Sequence, residues 1–369
     1  MKHKITALIS MLFFGAILSA QMPGGITMQQ ASGPQGTTLG ANTTSGAAGI
    51  ALGNRVVMRG YVDFTFAYDH EDYKSASSVG QTEAFNTLAD IDFLFDFSPL
   101  TAEIHTSFNA SPDKSKNEEA VELEQAFGRY SVNRDFNFSF GRQLTVLGYE
   151  ADEAPGLNAV SHSYWLADRL VPAAELGESK KQISQTRRNY VDGIRANFNN
   201  GRFGLTLGLH DGYWKDDDFN GDSIALDIAA SLMIIPGLEA RLGYAQEQYD
   251  NQTGSSDDIS QLNGWLAYSA GNLTLATEFD NMDILSDEYW SMMFLANYQF
   301  ANWMGATIRY SHEDYEAMSV SSEADRLTFA LLFSITENFG LNLEYSTTSV
   351  DSTSVGDYDE FYVEGLITY

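Results

Sequence analysis

Apolar and polar residues alternate along most of the chain from position 55 to the C-terminus. In residues 89–97, Ile91 and Phe93 occupy alternate positions, and Asp90 and Asp92 fall next to them on the intervening positions. Because successive side chains of a β-strand point to opposite faces, such a segment is apolar on one face and charged on the other. The alternation therefore predicts an all-β protein built from two-faced strands.

The alternation divides into sixteen runs, which turn residues or longer polar stretches separate. The predicted strands lie near residues 55–69, 84–97, 100–110, 119–131, 134–148, 187–199, 202–214, 222–235, 237–249, 259–269, 272–283, 287–300, 303–315, 323–334, 338–349 and 358–369. Tight connections, such as Pro236-Gly237, alternate with longer acidic ones, such as 149–186. Short turns at one rim and long loops at the other are typical of a transmembrane, antiparallel, up-and-down β-barrel.

A secreted β-sandwich or propeller would show the same alternation, because alternation does not reveal which face lies inside. Three features favour the barrel: the alternating lengths of the connections, the absence of a repeat of blade length, and the placement of aromatic residues. Aromatic residues flank the tight turns at Tyr130, Phe136, Phe198, Phe203, Phe300, Trp303, Phe333 and Phe339, and recur at the opposite strand ends at Tyr68, Tyr213, Trp214, Tyr249, Tyr289, Trp290 and Tyr315. We expect two girdles, one at each lipid interface.

The N-terminus has the form of a secretory signal. Lys2 and Lys4 precede the apolar stretch 5–18, and Ser19-Ala20 supplies small residues for cleavage. The chain is thus predicted to comprise a signal peptide (1–20), a flexible periplasmic leader (21–54) and an outer-membrane β-barrel (55–369). The predicted location is the outer membrane of a Gram-negative-type bacterium, with membrane lipid as a partner. Barrels of this size often assemble as homotrimers, but no stretch of the sequence identifies a trimer wall.

The chain is strongly acidic, with 21 basic and 50 acidic side chains, a net charge of −29, and no cysteine. This balance argues against nucleic acid as a partner, because phosphate binding needs a basic face. By strand parity, fourteen acids and six arginines face inward. The lumen acids that we single out are Asp63, Asp90, Asp92, Glu122, Glu124, Glu278 and Asp280. Charge of one sign concentrates counter-ions, so a lumen of this composition is predicted to prefer cations; the alternative is a merely solvated face.

The connection 149–186 is the third long loop, and we expect it to fold into the lumen and narrow it. A loop of 38 residues that simply hung outside would be costly to order. A surface loop, or an additional strand or helix, is the alternative. Basic residues gather around this loop, since ten of the 21 lie between Arg129 and Arg202. The candidate basic residues of the pore constriction are Arg169, Arg187, Arg195, Arg241 and Arg309.

The segment Gly141-Arg-Gln-Leu-Thr-Val-Leu-Gly-Tyr-Glu150, followed by Asn158 and by Ser161-His-Ser-Tyr-Trp165, resembles the OmpL-like family of outer-membrane β-barrel porins. That family has a strand that ends in a Gly, Tyr, Glu element before a long loop. The resemblance implies a porin whose substrate is unassigned. It also implies that Glu150, Tyr164 and Trp165 help to shape the constriction.

A short loop spaces oxygen ligands in the manner of a calcium loop. Asp216, Asp218, Asn220 and Asp222 alternate, and Gly221 stands at the turn. No helix is predicted on either side, and a solvated acidic hairpin is the competing interpretation. This loop is the candidate Ca²⁺ site, and no other cofactor is predicted.

No motif of an enzyme stands out in the sequence. His210-Asp211 invites comparison with outer-membrane proteases, but adjacent residues of a strand point to opposite faces. The predicted function is passive diffusion of ions and small hydrophilic solutes through a porin, because sixteen strands leave an aqueous channel. A structural or adhesive barrel whose long loop plugs the lumen is the alternative.

Overall fold

A computed structural model describes residues 49–72, 79–110, 120–164, 189–214, 223–250, 256–284, 287–317, 320–352 and 356–369. Within these ranges, sixteen antiparallel strands pair in chain order, and the last strand pairs with the first barrel strand to close the wall. The predicted up-and-down barrel of sixteen strands is therefore confirmed. Most of the proposed signal peptide and leader lies outside the described residues, so the division into segments stays a prediction.

The wall follows the predicted runs closely. A two-residue strand, β1 (Ile50–Ala51), precedes it and pairs with the start of β2. The barrel strands are β2 (Val56–Asp72), β3 (Val79–Asp96), β4 (Leu100–Asn109), β5 (Val121–Ser131), β6 (Phe136–Leu144), β7 (Tyr190–Asn199), β8 (Phe203–His210), β9 (Ser223–Ile235), β10 (Leu238–Asp250), β11 (Ser256–Ala270), β12 (Leu273–Ile284), β13 (Asp287–Ala301), β14 (Met304–Ala317), β15 (Val320–Ser334), β16 (Phe339–Asp351) and β17 (Asp357–Thr368). Two of them, β6 and β8, end before the predicted positions 148 and 214, because the chain there turns into the barrel.

Closure of the barrel rests on the pairing of β17 with β2, in which Phe361 lies opposite Tyr68. The C-terminal Tyr369 extends this pairing, since its backbone N–H and C=O both bond to Gly60 at 3.0 Å. Both ends of the wall consequently lie at the same rim, as an even number of strands requires.

The outer face of the barrel is apolar and uncovered. Leu242, Ile308 and Phe329 are each about half exposed or more, at 61%, 55% and 46%. A closed barrel satisfies its backbone hydrogen bonds between strands, so an apolar outer face of this kind suits hydrocarbon rather than water. Among the residues described, no helix has the length and hydropathy that crossing a bilayer demands.

The aromatic residues form one of the two expected girdles clearly. Near the tight turns, Tyr130, Phe300 and Trp303 are exposed on the outer face. At the opposite rim the prediction was wrong for Tyr213, Trp214, Tyr289 and Tyr315, which are all buried inside the barrel. Tyr289 and Tyr315 have the parity of the inner face, and the other two residues follow β8 after the chain has left the wall.

A β-bulge in β5 decides which side chains enter the barrel. His105 pairs with Gln125 and Thr106 pairs with Leu123, so Glu124 is the extra residue. Simple alternation would turn Gln125 outward. The extra residue changes the parity, and Gln125 is buried while Leu123 remains exposed on the outer face.

The apolar outer face predicts that the energetic cost of a charged substitution depends on its depth in the membrane. Replacing Leu242 by Arg in the middle of β10 should destabilise the folded barrel in phospholipid vesicles by about 2–4 kcal/mol, because a charge near the bilayer centre is poorly solvated. Denaturant titration of the refolded protein measures this free energy of unfolding.

The matched control is Ile335→Arg, at an exposed position in the turn between β15 and β16. It should change the free energy of unfolding by no more than about 1 kcal/mol, since charge near the interface costs little. Equal effects of the two substitutions would contradict a membrane-spanning outer face.

Candidate functional site

The chain enters the barrel directly after β6. We call residues 145–164 the interior segment. The backbone N–H of Thr145 bonds to the carbonyl of Asn189 at 2.7 Å, and Gly148 then adopts a φ of 102°, which favours glycine. Leu147 packs against Gly243 so closely that a Cβ there would lie 2.2 Å from a Leu147 methyl carbon. The absence of a side chain on β10 thus provides the space into which the segment fits.

The first anchor of the interior segment is Glu278 on β12. Its carboxylate accepts hydrogen bonds from the backbone N–H of Tyr149 at 2.7 Å and from the hydroxyl of Tyr164 at 2.9 Å. The Tyr149 ring also meets Trp265 edge to face, with ring centroids 5.6 Å apart. One predicted lumen acid therefore holds both ends of the segment, including the predicted constriction residue Tyr164.

The second anchor is Arg309 on β14, which is almost completely buried. Its guanidinium donates to Glu150 at 2.6 Å and to the carbonyls of Ser161 and His162 at 2.7 and 3.0 Å. Glu150 in turn accepts from the backbone and hydroxyl of Ser163 at 2.8 and 2.6 Å. A single buried ion pair consequently organises two separate parts of the segment.

The third anchor is formed by β15 and β16. Glu344 accepts from the backbone N–H of Val160 at 2.6 Å and from the backbone and hydroxyl of Ser161. Arg326 donates to the same hydroxyl at 2.9 Å and pairs with Glu360 at 2.8 Å. Through these contacts the interior segment, which begins after β6, is bound to β15 and β16.

A chain of alternating charges lines β2 to β5. Asp92 lies 3.2 Å from the guanidinium of Arg59 and 3.0 Å from Nδ1 of His105. His105 Nε2 contacts Glu103 at 3.1 Å, and Arg129 approaches Glu103 at 3.5 Å. All five groups are mostly buried, so their charges compensate one another within the wall rather than facing an open lumen.

A group of carboxylates on the same side forms no salt bridge with any of the described residues. Asp90 on β3, Glu124 at the bulge and Glu153 of the interior segment each bring an oxygen within 4.8 Å of the others. Burial raises the pKa of the Glu153 carboxyl well above its ordinary value, and the charges of Asp90, Asp92, Glu124 and Asp152 raise it further. Asp152 itself accepts a short hydrogen bond from the hydroxyl of Tyr190.

Apolar side chains fill the space between the interior segment and the wall of β9 to β14. The cluster comprises Val146, Leu147, Tyr149, Tyr164, Val191, Tyr213, Trp214, Ala225, Ala229, Ala245, Ile259, Trp265, Ala267, Ala276, Met282, Ile284, Tyr289, Met293, Leu295 and Tyr315. Tyr213 and Trp214 are held by their backbone N–H groups, which donate to Glu247 at 2.9 and 2.8 Å. This part of the barrel has a packed core.

The remaining predicted residues fall into three groups. Arg195 is buried, donating to the carbonyl of Leu144 at 2.6 Å and lying 3.5 Å from Asp227, while Arg241 is buried on β10. Asp280 accepts from Gln261 and Asn263 at 2.8 Å, and Asp63 bonds to Thr65. Glu122 is half-buried at the start of β5. Trp165, Arg169, Arg187, Asp216, Asp218, Asn220 and Asp222 lie outside the described residues, as do residues 165–186 of the long loop, whose inward fold as a whole stays a prediction.

Three important side chains were missed from the sequence. Glu153 lies in a loop, where alternation gives no direction. His105 and Arg129 lie on strands, where alternation does give a direction. His105 has the parity of Glu103, which is one of the fourteen acids whose parity points inward. Arg129 shares the inward direction of Gln125, because both residues follow the bulge.

No family model matches the chain, and no curated protein matches it. Solved structures match its fold. OmpF of Salmonella typhi, in complex with daunomycin, has a TM-score of 0.61 at 12% identity, over 85% of this chain and 98% of that one. The outer membrane channel DcaP of Acinetobacter baumannii has a TM-score of 0.60 at 12% identity, over 85% and 97%. An anion-selective porin from Comamonas acidovorans has a TM-score of 0.59 at 16% identity, over 85% and 99%.

These similarities concern the fold. The chain has the transmembrane β-barrel fold of outer-membrane porins, and the outer membrane is the location to which this fold belongs. No similarity found points to the OmpL-like family in particular.

The Arg309–Glu150 pair yields a prediction about stability. Arg309→Met should lower the free energy of unfolding by about 3–5 kcal/mol, because Glu150 then stays buried without its cation. Combining it with Glu150→Gln should recover part of the loss, since the uncompensated charge is removed. Denaturant titration of the single and double variants gives the coupling between the two residues.

Ser334, exposed at the start of the turn after β15, offers a control site, and Ser334→Ala should leave the free energy of unfolding nearly unchanged. Strictly additive effects of Arg309→Met and Glu150→Gln would show that the pair does not anchor the interior segment.

Proposed function

We propose that the chain is an outer-membrane porin through which ions and small hydrophilic solutes diffuse passively. The observation that carries the proposal is a sixteen-stranded barrel whose interior segment runs from β6 to β14 and β16, where Arg309 and Glu344 hold it. A barrel of sixteen strands is wide enough for an aqueous channel, and a tethered internal segment would narrow such a channel. The porin fold of the similar structures supports the same function.

Diffusion without catalysis is part of this proposal. His210, which invited comparison with proteases, bonds through Nε2 to Asp227 at 3.1 Å. Both side chains are fully buried, and Arg195 lies beside the same carboxylate. Because this histidine and its partners are enclosed, they are better suited to stabilising the barrel wall than to cleaving a peptide.

We also propose the OmpL-like resemblance as a guide to the constriction. The Gly148, Tyr149 and Glu150 element lies at the centre of the anchoring contacts, which supports a role in shaping the passage. A homotrimer is a further proposal. A trimer form is named for one similar structure, OmpT of Vibrio cholerae, at 11% identity and a TM-score of 0.56.

A plugged structural or adhesive barrel is the second candidate. The packed apolar cluster between the interior segment and β9 to β14 favours it, because water and ions do not cross a dry core. The two candidates share one fold and differ in whether a continuous aqueous path remains.

Single-channel recording of the refolded protein in a planar bilayer decides between them. We expect stable openings in the full-length protein, because a barrel of sixteen strands is wide enough for an aqueous path. A variant with residues 151–188 replaced by a short Gly-Ser linker should conduct more per opening, since a narrowing has been removed.

The refolding buffer and detergent alone serve as the blank. A silent full-length protein together with a conducting linker variant would establish the plug and reject diffusion. Silence of both variants, with barrel folding verified by heat-modifiable gel migration, would reject diffusion through this barrel altogether.

Cation preference is proposed from the acids that lack a basic partner. Asp63 and Glu122 face the interior, and neither forms a salt bridge with any residue in the described ranges. We predict that Asp63→Asn combined with Glu122→Gln shifts the reversal potential in a salt gradient toward zero, because fewer negative charges then attract cations.

The matched control removes the same charge from two turns, by combining Asp135→Asn before β6 with Glu337→Gln at an exposed position before β16. This control should shift the reversal potential less than the lumen variant does. A wild-type potential that already favours anions would contradict the proposed preference, and the arginines would then dominate.

A further inference from the structure

Three carboxylates from different parts of the chain meet at one point inside the barrel. Asp90 comes from β3, Glu124 from the bulge of β5, and Glu153 from the interior segment just before the 3-10 turn Ala154–Gly156. One oxygen of each lies within 4.8 Å of the other two. The wall and the segment that crosses the barrel therefore contribute to the same acidic group.

Four carboxylate oxygens at this point have no hydrogen-bond donor among the described residues. Both carboxylate oxygens of Asp90 are buried without a partner, and so are Oε2 of Glu124 and Oε2 of Glu153. The exposed fraction of Asp90 is 0% and that of Glu153 is 4%. Buried carboxylates in proteins are normally paired or hydrogen-bonded, and the described part of the chain gives these oxygens neither kind of partner.

The neighbouring cations are engaged elsewhere. Arg59 and His105 contact Asp92, and His105 together with Arg129 contacts Glu103. In the described part of the chain, no arginine, lysine or histidine forms a salt bridge with Asp90, Glu124 or Glu153. Within the described residues, no basic side chain thus supplies the compensating charge, which a bound cation or bound protons can provide.

The donor set suits a hard divalent cation. Calcium and magnesium prefer oxygen ligands, and carboxylates bind them as monodentate or bidentate ligands. Three converging carboxylates from three separate elements can close around such an ion, and water completes its coordination. Soft metals are disfavoured, because the group contains neither sulfur nor imidazole.

We propose that Asp90, Glu124 and Glu153 bind a hard divalent cation, Ca²⁺ or Mg²⁺, which fastens the interior segment to the wall at β3 and β5. The site is distinct from the candidate calcium loop at 216–222. It adds a tie at β3 and β5 to the anchors at Arg309 on β14 and Glu344 on β16. The proposal does not depend on whether the barrel conducts.

Metal binding to the full chain is the test. The protein is refolded in detergent free of lipopolysaccharide, stripped with EDTA, and titrated calorimetrically with CaCl₂ and, separately, with MgCl₂. We expect a saturable site for at least one of the two ions and a higher Tm in its presence, because a ligand that binds only the folded state stabilises it. Glu153→Gln should weaken binding on the order of tenfold or more and abolish the rise in Tm, since it removes a charged ligand.

Two controls separate this site from other acidic groups. Glu337→Gln removes one exposed charge, and the variant protein should bind the ion as tightly as the wild type does. Asp216→Asn combined with Asp218→Asn removes the candidate hairpin site, and the Glu153-dependent binding should persist. If Glu153→Gln fails to fold, Glu124→Gln takes its place with the same expectation.

Three results would overturn the proposal. Absence of saturable binding of both ions to the wild type would mean that the carboxylates share protons instead. Undiminished binding in Glu153→Gln, or in its substitute, would place the ion elsewhere. Loss of all binding in the hairpin variant alone would assign the ion to residues 216–222.

Discussion

Closure of the sheet between β17 and β2 is the constraint on which the rest of the structure depends. Once the wall is closed, its backbone groups bond between strands, and side chains are free to differ completely on its two faces. The outer face becomes apolar, because only lipid can cover it. The inner face becomes polar. A segment that enters the barrel is therefore held there by charge and hydrogen bonding, and not by apolar packing alone.

The interior segment shows how such an inner face is used. Glu278, Arg309 and Glu344 each contact backbone groups of the segment, which has few side chains of its own that could form ion pairs. Backbone N–H and C=O groups buried away from water need partners, and charged side chains of the wall supply them. The same contacts fix the position of the segment, which an apolar wall would leave free to slide.

Sequence alternation predicted the wall well because a strand has only two directions for its side chains. Asp90, Asp92, Glu278 and Asp280 were placed inward on this basis, and all of them are buried in the barrel. The failures arose where the period of two is interrupted. Gln125 follows the extra residue of a bulge, and Tyr213 and Trp214 follow the end of a strand.

The pairing of residues across the interior was not predictable in the same way. Glu150 and Tyr164 were selected by their resemblance to a family motif, but nothing in the order of residues joins them to Arg309 or Glu278. Such partners are set by the diameter of the barrel and by the path of a loop. Many of the inner charges also compensate one another. A count of acidic and basic residues therefore overstates the electrostatic field inside the barrel.

The span of the anchoring contacts along the chain has a consequence for the order of folding. Glu150 and Arg309 are 159 positions apart, and Val160 and Glu344 are 184 apart. Contacts between such distant positions form slowly, because a long loop of chain must first be closed. The residues that receive the segment exist as a surface only after the C-terminal strands have assembled. We therefore expect the segment to dock late, into a barrel that until then is open along its axis.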